Sequence, residues 1–515
     1  MTLLYESNEW DFETLDRVYE ACAKIAKDEL KLDTYTNQLE IISSDQMLDA
    51  YATVGLPIYY KHWSFGKQFV RESHDYKKGK SGLAYEIVIN SDPCINYLME
   101  ENSITTQTTV IAHAAFGHNH FFKNNYLFKE WTQADHIVDY LIFARDYITK
   151  CEEQYGIESV ETVLDAAHAL SQNGVFKYKH NKLNAKDEKE KQKQREEYIE
   201  SHFNDLWRTV PVMKSDEDRT LEDMLTEEEL EVMENFGYNI TDPEENLLYF
   251  IEKNSPILKP WQREIVRIVR KVAQYFYPQY QTKVMNEGWA TFSHYYIMNR
   301  LYETNQITEG SYLEFIHTHT SVLRMDDFDS QYFNGWNPYT LGFAMFMDIK
   351  RICEDPTEED REWFPDWAGG DWLEVCHDAV DNYRDESFIR QFLSPKLMRD
   401  FKMFTLDNQE RAKDYEVSAI HDTRGYKHIR DTLASQYEII NFIPDITVVG
   451  ANFKTDRVLT LLHQIHSGKL LHTNTASVLE HMKHLWGYQI VMDCVDEDGE
   501  YEDSHESSKM PIYEI

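Results

Sequence analysis

Histidine binds transition metals and moves protons at neutral pH, and it is clustered in one short stretch of this sequence. His113, His118 and His120 lie within eight residues. On an α-helix His113 and His120 share a face, whereas His118 lies about 140° away from His113. We expect Gly117 to loosen the turn so that His113 and His118 converge. The cluster predicts a metal or catalytic site, and the alternative is a hydrogen-bonded group of core histidines.

A second pair of candidate ligands lies on another predicted helix. Glu287 and His294 are seven residues apart and therefore project from one face. A carboxylate among Trp, Phe, Met and Tyr side chains needs a partner, because an unpaired buried charge is costly. We therefore predict that His113, His118, Glu287 and His294 bind a divalent metal, zinc. Glu287 and His294 are also predicted catalytic residues, His294 as a fourth ligand or an acid/base group.

Polar residues beside the first cluster are candidates for contacting a substrate. Asn119, Lys123 and Asn124 lie in an otherwise apolar stretch. We predict that they orient a polar substrate, and we include Asn119 and Lys123 among the catalytic residues. The reaction would be hydrolytic, because a bound metal lowers the pKa of water. A closed structural metal site is the alternative, and it would fit a protein that is not an enzyme.

Weaker signals come from histidines in two further amphipathic helices. One helix carries His317 and His319, and the other carries His168. The spacing of Asp165 and His168 fits an orienting pair behind a metal ligand, but it equally fits an ordinary contact within a helix.

Composition limits the class of protein. The 515 residues contain 90 Asp and Glu against 52 Lys and Arg, so the formal charge is −38, while 42% hydrophobic residues allow a large core. This charge repels phosphate backbones and anionic lipid, which argues against a nucleic-acid or membrane-surface role. No apolar run approaches the length of a transmembrane helix. Six scattered cysteines and the absence of an apolar leader predict a cytoplasmic protein with reduced thiols.

The elements that position these residues are predicted to be mainly helical. Apolar periodicity and helix-stop signals predict helices over 9–32, 103–123, 133–155, 158–171, 260–278, 282–303, 308–323, 339–354, 371–383 and 386–402. Residues 83–90 read as a strand, and Ser91 and Pro93 read as the start of a helix that continues through Leu98. The charged stretch 184–200 and the acidic segment 214–235 are predicted surface excursions.

The C-terminal part of the chain has a different pattern. Its predicted elements are three strands and one helix that Gly487 ends, over 444–450, 457–465, 489–495 and 475–486. The fold class is therefore mainly α, with a minor β component near the N-terminus and a small C-terminal α+β unit. We predict a helical domain at 1–425 that carries the His/Glu site, and an α+β domain at 426–515 that ends in an acidic tail.

Residues 286–290, Asn-Glu-Gly-Trp-Ala, resemble the Asn-Glu-Gly-Phe-Ala helix of gluzincin aminopeptidases, in which the Glu is the third zinc ligand. The companion motif His-Glu-x-x-His is missing, because Ala114 stands where its general-base Glu would be. This difference argues against a peptidase of that class.

Longer motifs resemble the SpoVR family (stage V sporulation protein R) over essentially the whole chain. They are Gly55–Lys67, Gly82–Ser91, Ala112–Asn119, Phe121–Asn125, Gln281–Ala290 and Tyr339–Phe346. The resemblance supports individual positions of the site, namely His113, Gly117, His118, Asn119, Glu287 and Trp289. The family commonly has a small residue at the position of His120, which lowers the expectation that this side chain is a ligand.

The resemblance also implies a biological setting. The family is named for a role in spore-cortex formation, and its genes commonly neighbour those for a PrkA-type serine kinase and a YeaH/YhbH-type protein. We therefore expect a cytoplasmic metal-dependent hydrolase linked to sporulation or stress physiology. The alternative is a non-enzymatic regulatory or assembly factor that acts with the PrkA-type kinase.

Overall fold

The structure is a computed structural model that describes residues 3–52, 59–63, 67, 86–177, 244–325, 335–403, 405–407, 416–419, 422–451, 456–466, 471, 474–496 and 499–509. The predicted surface excursions at 184–200 and 214–235 lie outside these residues, as do parts of the motifs at 55–67 and 82–91.

Most of the described elements are helices, which confirms the mainly α class. The α-helices are α1 Phe12–Asp28, α2 Ser44–Ala52, α3 Ile104–Ile111, α4 Asn119–Asn124, α5 Tyr126–Trp131, α6 Ile137–Tyr155, α7 Ile157–Ala169, α8 Leu247–Asn254, α9 Pro260–Gln281, α10 Lys283–Glu303, α11 Glu309–Val322, α12 Pro338–Glu354, α13 Glu358–Trp363, α14 Trp372–Asn382, α15 Asp385–Phe392, α16 Pro395–Asp400, α17 Thr423–Ser435 and α18 Thr475–Trp486. A π-helix, Ala112–His118, joins α3 to α4, and Ser171–Asn173 and Ile439–Asn441 are 3₁₀ turns.

The minor β component near the N-terminus is a three-stranded sheet. Its strands are β1 Asn37–Ile42, β2 Glu86–Ile89 and β3 Cys94–Met99. The central strand β3 pairs in parallel with β1 and antiparallel with β2. A short antiparallel pair follows later in the chain, formed by β4 Thr405–Asp407 and β5 Glu416–Ala419.

The predicted helix from Pro93 through Leu98 is wrong, because these residues form most of β3. The Ser91 hydroxyl donates to the carbonyl oxygen of Pro93 (2.7 Å) instead of capping a helix. Pairing with a strand on each side satisfies the backbone of residues 94–99 and buries most of their side chains. Such tertiary pairing outweighs a local helix signal.

Two predicted helix ends also differ from the structure. The helix predicted over 386–402 is split into α15 and α16, since Ser394 caps a new helix whose first residue is Pro395. Pro278 does not end α9, which continues to Gln281.

Contacts divide the chain into two compact units. The first comprises Met1–Glu161 and Lys271–Ile443, and the second comprises Thr162–Arg270 and Pro444–Ile515. The first unit has a large apolar core to which α1, α3, the π-helix, α10, α11 and α12 contribute. All the predicted site residues lie in this first unit.

Helix α10 packs very closely against two neighbours. A Cβ atom added to Gly117 of the π-helix would lie 2.6 Å from the Cα atom of Ala290. On α12, Gly342 approaches so closely that a Cβ atom added to Gly288 would lie 2.5 Å from its Cα atom. Asp385 accepts hydrogen bonds from the backbone N–H groups of Val284 and Met285 at the start of α10. These contacts hold α10 on two sides and at its first turn.

The second unit contains a four-stranded sheet in its C-terminal part. The strands, in spatial order, are β6 Asp445–Ala451, β7 Leu459–Gln464, β8 Ile490–Val495 and β9 Tyr501–Glu506. The three predicted strands and the end of α18 at Gly487, in left-handed conformation, are confirmed. Residues 501–506, within the expected acidic tail, add a fourth strand that pairs antiparallel with β8.

Two further expectations from composition can be compared with the described residues. Among them, no helix combines the length and apolarity needed to cross a bilayer. All six cysteines are buried and none forms a disulfide.

Candidate metal centre

A π-helix brings His113 and His118 together. In this helix type backbone hydrogen bonds join residues five apart, and the N–H group of Asn119 accordingly donates to the carbonyl oxygen of Ala114. Residues i and i+5, which an α-helix would separate, therefore lie near one face. The ring centroids of His113 and His118 are 4.5 Å apart. Because Gly117 has no side chain, the π-helix can lie close to Ala290 of α10.

Helix α10 places Glu287 opposite these two rings. Its Oε2 atom lies 3.5 Å from Nε2 of His118 and 3.8 Å from Nε2 of His113. One ligand atom from each of these three residues lies within 4.8 Å of the other two. The imidazoles are almost fully buried, and the Glu287 side chain is 18% exposed. Three of the four predicted ligands thus converge.

His294, the fourth predicted ligand, lies behind His113. Its Nδ1 atom is 3.0 Å from Nδ1 of His113, and its Nε2 atom is 2.9 Å from Nδ1 of His319. Both of its nitrogens therefore face other histidines, and neither faces Glu287. The spacing of Glu287 and His294 correctly places both on the side of α10 near the π-helix, but two turns separate them along its axis.

Hydrogen bonds on the outer side of each ring leave the inner nitrogens available. Nδ1 of His118 lies 2.9 Å from the Oδ1 atom of Asn286. This amide oxygen can only accept a hydrogen bond. His118 therefore carries its proton on Nδ1, and its Nε2 lone pair points towards Glu287. Oε2 of Glu287 is itself buried and has no hydrogen-bond partner within the described structure. A divalent cation or a shared proton could join these atoms.

Glu86 also belongs to this cluster, although sequence reasoning missed it. It is the first residue of β2, and its Oε1 atom lies 3.7 Å from Nε2 of His113. Its side chain is 18% exposed. The one signal in the sequence is an acidic residue inside the otherwise apolar strand predicted over 83–90. Distance along the chain gave no reason to place it beside His113.

Burial and mutual charges shift the pKa values of the cluster in opposite directions. Burial opposes ionisation of Glu287, but the His118 and His113 imidazoles outweigh it and lower the pKa of its carboxyl. Burial raises the pKa of Glu86; the His113 imidazole opposes this shift, and the Glu287 carboxylate adds to it. Burial and the neighbouring His113 lower the pKa of His118 to about 4. Glu287 is thus the ionised carboxylate and His118 is neutral, as metal ligands must be.

Asn119 and Lys123 face away from the cluster. The Asn119 side chain exchanges hydrogen bonds with the backbone of Tyr35, and Lys123 contacts Asp33 at 2.6 Å. Asn124 likewise donates to the carbonyl oxygen of Asp33. All three side chains hold the segment between α1 and β1 instead of lining the site.

His120 is part of the apolar core. The indole N–H of Trp289 donates to its Nδ1 atom (3.1 Å), and the ring of His377 packs against it with centroids 4.9 Å apart. The alternative interpretation of a hydrogen-bonded core histidine therefore describes His120.

The fold and the site together define a class: mainly helical proteins with a buried histidine–glutamate cluster between a π-helix and a long α-helix. The model of the SpoVR-like protein family matches residues 9–442, and that of the SpoVR-like C-terminal domain matches residues 444–497. The chain is 53% identical over 502 residues to the uncharacterized protein YcgB of Escherichia coli (strain K12). These residues cover 97% of this chain and 96% of YcgB. No solved structure matches this chain. The chain belongs to the SpoVR family, as the sequence motifs indicate.

Proposed function

We propose that this protein is a metal-dependent hydrolase whose zinc ligands are His113, His118 and Glu287. One observation carries the proposal. Two imidazole Nε2 atoms lie 3.8 and 3.5 Å from the Oε2 atom of Glu287, which is buried and has no hydrogen-bond partner among the described residues. Burying such acceptors without a proton or cation is costly, and a divalent cation would satisfy all three.

The spacing of the donors fits zinc. Ligands about 2.1 Å from a tetrahedral zinc ion lie about 3.4 Å from one another. The carboxylate oxygen lies 3.5 and 3.8 Å from the two imidazole nitrogens, so little movement is needed. Two nitrogens and one oxygen form a donor set typical of catalytic zinc, which retains an open position for water. Bound there, zinc would supply Lewis acidity and a water molecule with a pKa near neutrality.

Glu86 supports a hydrolytic role. It brings a second carboxylate to the cluster, and burial together with Glu287 raises the pKa of that carboxyl. A carboxylate with a raised pKa accepts a proton from water and returns it to a leaving group more readily than an ordinary Glu. In the motif His-Glu-x-x-His the general base is a Glu at the position that Ala114 occupies here. Glu86 would act as the general base instead.

Metal analysis of the purified full chain tests the proposal. We expect one zinc per chain in the wild type and its loss in Glu287→Gln, which is nearly isosteric but uncharged. Glu100→Gln, at an exposed position after β3, is the matched control and should retain zinc. A wild type without stoichiometric metal, or Glu287→Gln with unchanged zinc content, contradicts the proposal.

Hydrolysis is tested on the same proteins. The zinc-loaded wild type is offered chromogenic carboxylic esters, phosphoesters and peptide amides. We expect Glu86→Gln to retain zinc and to lose at least about 100-fold in turnover, the usual contribution of a general base. Absence of turnover on all three classes by a zinc-loaded wild type would favour a structural metal.

The remaining expectations are proposals that rest on the family resemblance. They are a cytoplasmic location, a link to sporulation or stress physiology, and association with a PrkA-type serine kinase and a YeaH/YhbH-type protein. Co-purification with such a kinase that Glu287→Gln leaves unchanged would support a regulatory role separate from the metal centre.

A further inference from the structure

His294 and His319 form a chain of imidazoles behind the metal centre. The chain runs from Nδ1 of His113 to His294 (3.0 Å) and from Nε2 of His294 to Nδ1 of His319 (2.9 Å). His294 comes from α10 and His319 from α11, and the two residues are 6% and 5% exposed. Tyr295 and Phe315 pack against the His319 ring and hold its plane.

The direction of this chain follows from its end at the metal centre. If Nε2 of His113 presents a lone pair to a cation, its proton must sit on Nδ1. That N–H then donates to Nδ1 of His294, which in turn carries its proton on Nε2 and donates to Nδ1 of His319. Each ring therefore has one permitted tautomer, and the acceptor at the end is Nδ1 of His319.

We propose that His319 is a positioning residue for the metal centre. Through His294, it fixes the tautomer and orientation of the ligand His113. The inference rests on the proposed function, since it concerns the affinity of that site for zinc. An acceptor at Nδ1 of His319 keeps the His294 N–H satisfied in an apolar surrounding. Without this acceptor, His294 gains by presenting a proton to His113, and His113 then loses the lone pair that zinc requires.

The test compares three substitutions in the full-length protein. His319→Leu keeps a similar volume and removes the acceptor, so we expect zinc affinity to fall by about 10- to 100-fold. His319→Asn places Oδ1 close to the position of Nδ1 and should restore most of the affinity. His317→Ala is the matched control, because His317 is exposed on the same helix, and it should change nothing.

Zinc affinity is measured by competition with a chromophoric chelator, and the visible absorption of the cobalt(II) form is recorded for each variant. We expect a changed cobalt spectrum in His319→Leu and a near wild-type spectrum in His319→Asn. If His319→Leu lowers the melting temperature of the zinc-free protein but leaves zinc affinity and the cobalt spectrum unchanged, His319 is only a core residue and the proposal fails. Equal loss in His319→Leu and His319→Asn also overturns it.

These outcomes separate the inference from the proposed function. Failure of the metal centre shows in the wild type, which would bind no stoichiometric zinc, and the positioning role then falls with it. Failure of the positioning role alone shows as a zinc-binding wild type whose affinity does not respond to His319.

Discussion

The histidines of the stretch 113–120 form two groups with different partners, His113 and His118 in one and His120 in the other. His113 and His118 face Glu287 and Glu86, whereas His120 faces Trp289 and His377. Both groups are buried and both come from the stretch 113–120. The difference lies in the residues packed against them. The first group meets carboxylate oxygens, which accept hydrogen bonds, and the second meets an indole N–H group, which donates one. A clustered histidine is therefore a metal-ligand candidate only when carboxylates converge on it.

Substitution of one histidine in each group tests this comparison most strongly. In His118→Asn we expect zinc affinity to fall by at least about 100-fold, since a direct ligand matters more than the groups behind it. In His120→Asn the new Oδ1 atom can still accept from Trp289, so zinc content should be unchanged. Chelator competition measures both. Equal zinc loss in the two variants would contradict the distinction.

Gly117 tests whether the π-helix must lie close to α10. Gly117→Ala puts a Cβ atom against the backbone of Ala290, so we expect about 2–3 kcal/mol of destabilisation and weaker zinc binding. Gly310→Ala in α11 is the control, because its Cβ atom would meet only Thr308 Oγ1 at 3.8 Å, and it should stabilise by about 0.5–1 kcal/mol. Urea denaturation measures both. An unchanged free energy of unfolding in Gly117→Ala would mean that the helices can separate freely.

The pH dependence of stability is expected to be alike for His118 and His120, one histidine from each group. Burial lowers the pKa of His118 to about 4 and that of His120 well below its usual 6.5. The unfolded chain therefore binds protons below about pH 6.5 that the folded chain does not, and the zinc-free protein loses stability as the pH falls towards 4. His113 has a raised pKa, and the stability it adds is lost only as the pH rises above 6.5.

Each single substitution, His118→Asn or His120→Asn, should reduce the slope of unfolding free energy against pH by about 1.4 kcal/mol per pH unit. Denaturant titrations of zinc-free protein between pH 4.5 and 6 measure it. A slope that only one of the two variants changes would show that the groups differ in charge as well as in partners.

The smallest effect is expected at Lys123. Its ion pair with Asp33 is partly exposed, so Lys123→Met should change the free energy of unfolding by less than about 1 kcal/mol and leave zinc content unchanged. Thermal denaturation and metal analysis check this. Loss of zinc would restore Lys123 to the group of functional residues.

Much of the fold followed from the sequence because long amphipathic patterns and cap residues decide most helices locally. Sequence also selected His113, His118 and Glu287, since each is costly to bury alone. The π-helix could not be foreseen, as its hydrogen bonds depend on packing against α10. Glu86 and the strand β3 depend on partners distant in the chain. The contacts of Asn119 and Lys123 with residues 33–35 could not be foreseen, because spacing along a helix does not reveal which residues lie on the opposite surface.

The close approaches of Gly117 to Ala290 and of Gly288 to Gly342 have a thermodynamic consequence. The backbone that carries Glu287 is held between two helices that cannot move nearer, so little conformational entropy remains to be lost when an ion arrives. In small zinc domains that unfold without metal, part of the free energy of metal binding is used to fold the chain. Here the site is already ordered, so that free energy would appear as affinity for the ion. Chelation should empty such a centre while the helices around it stay in place.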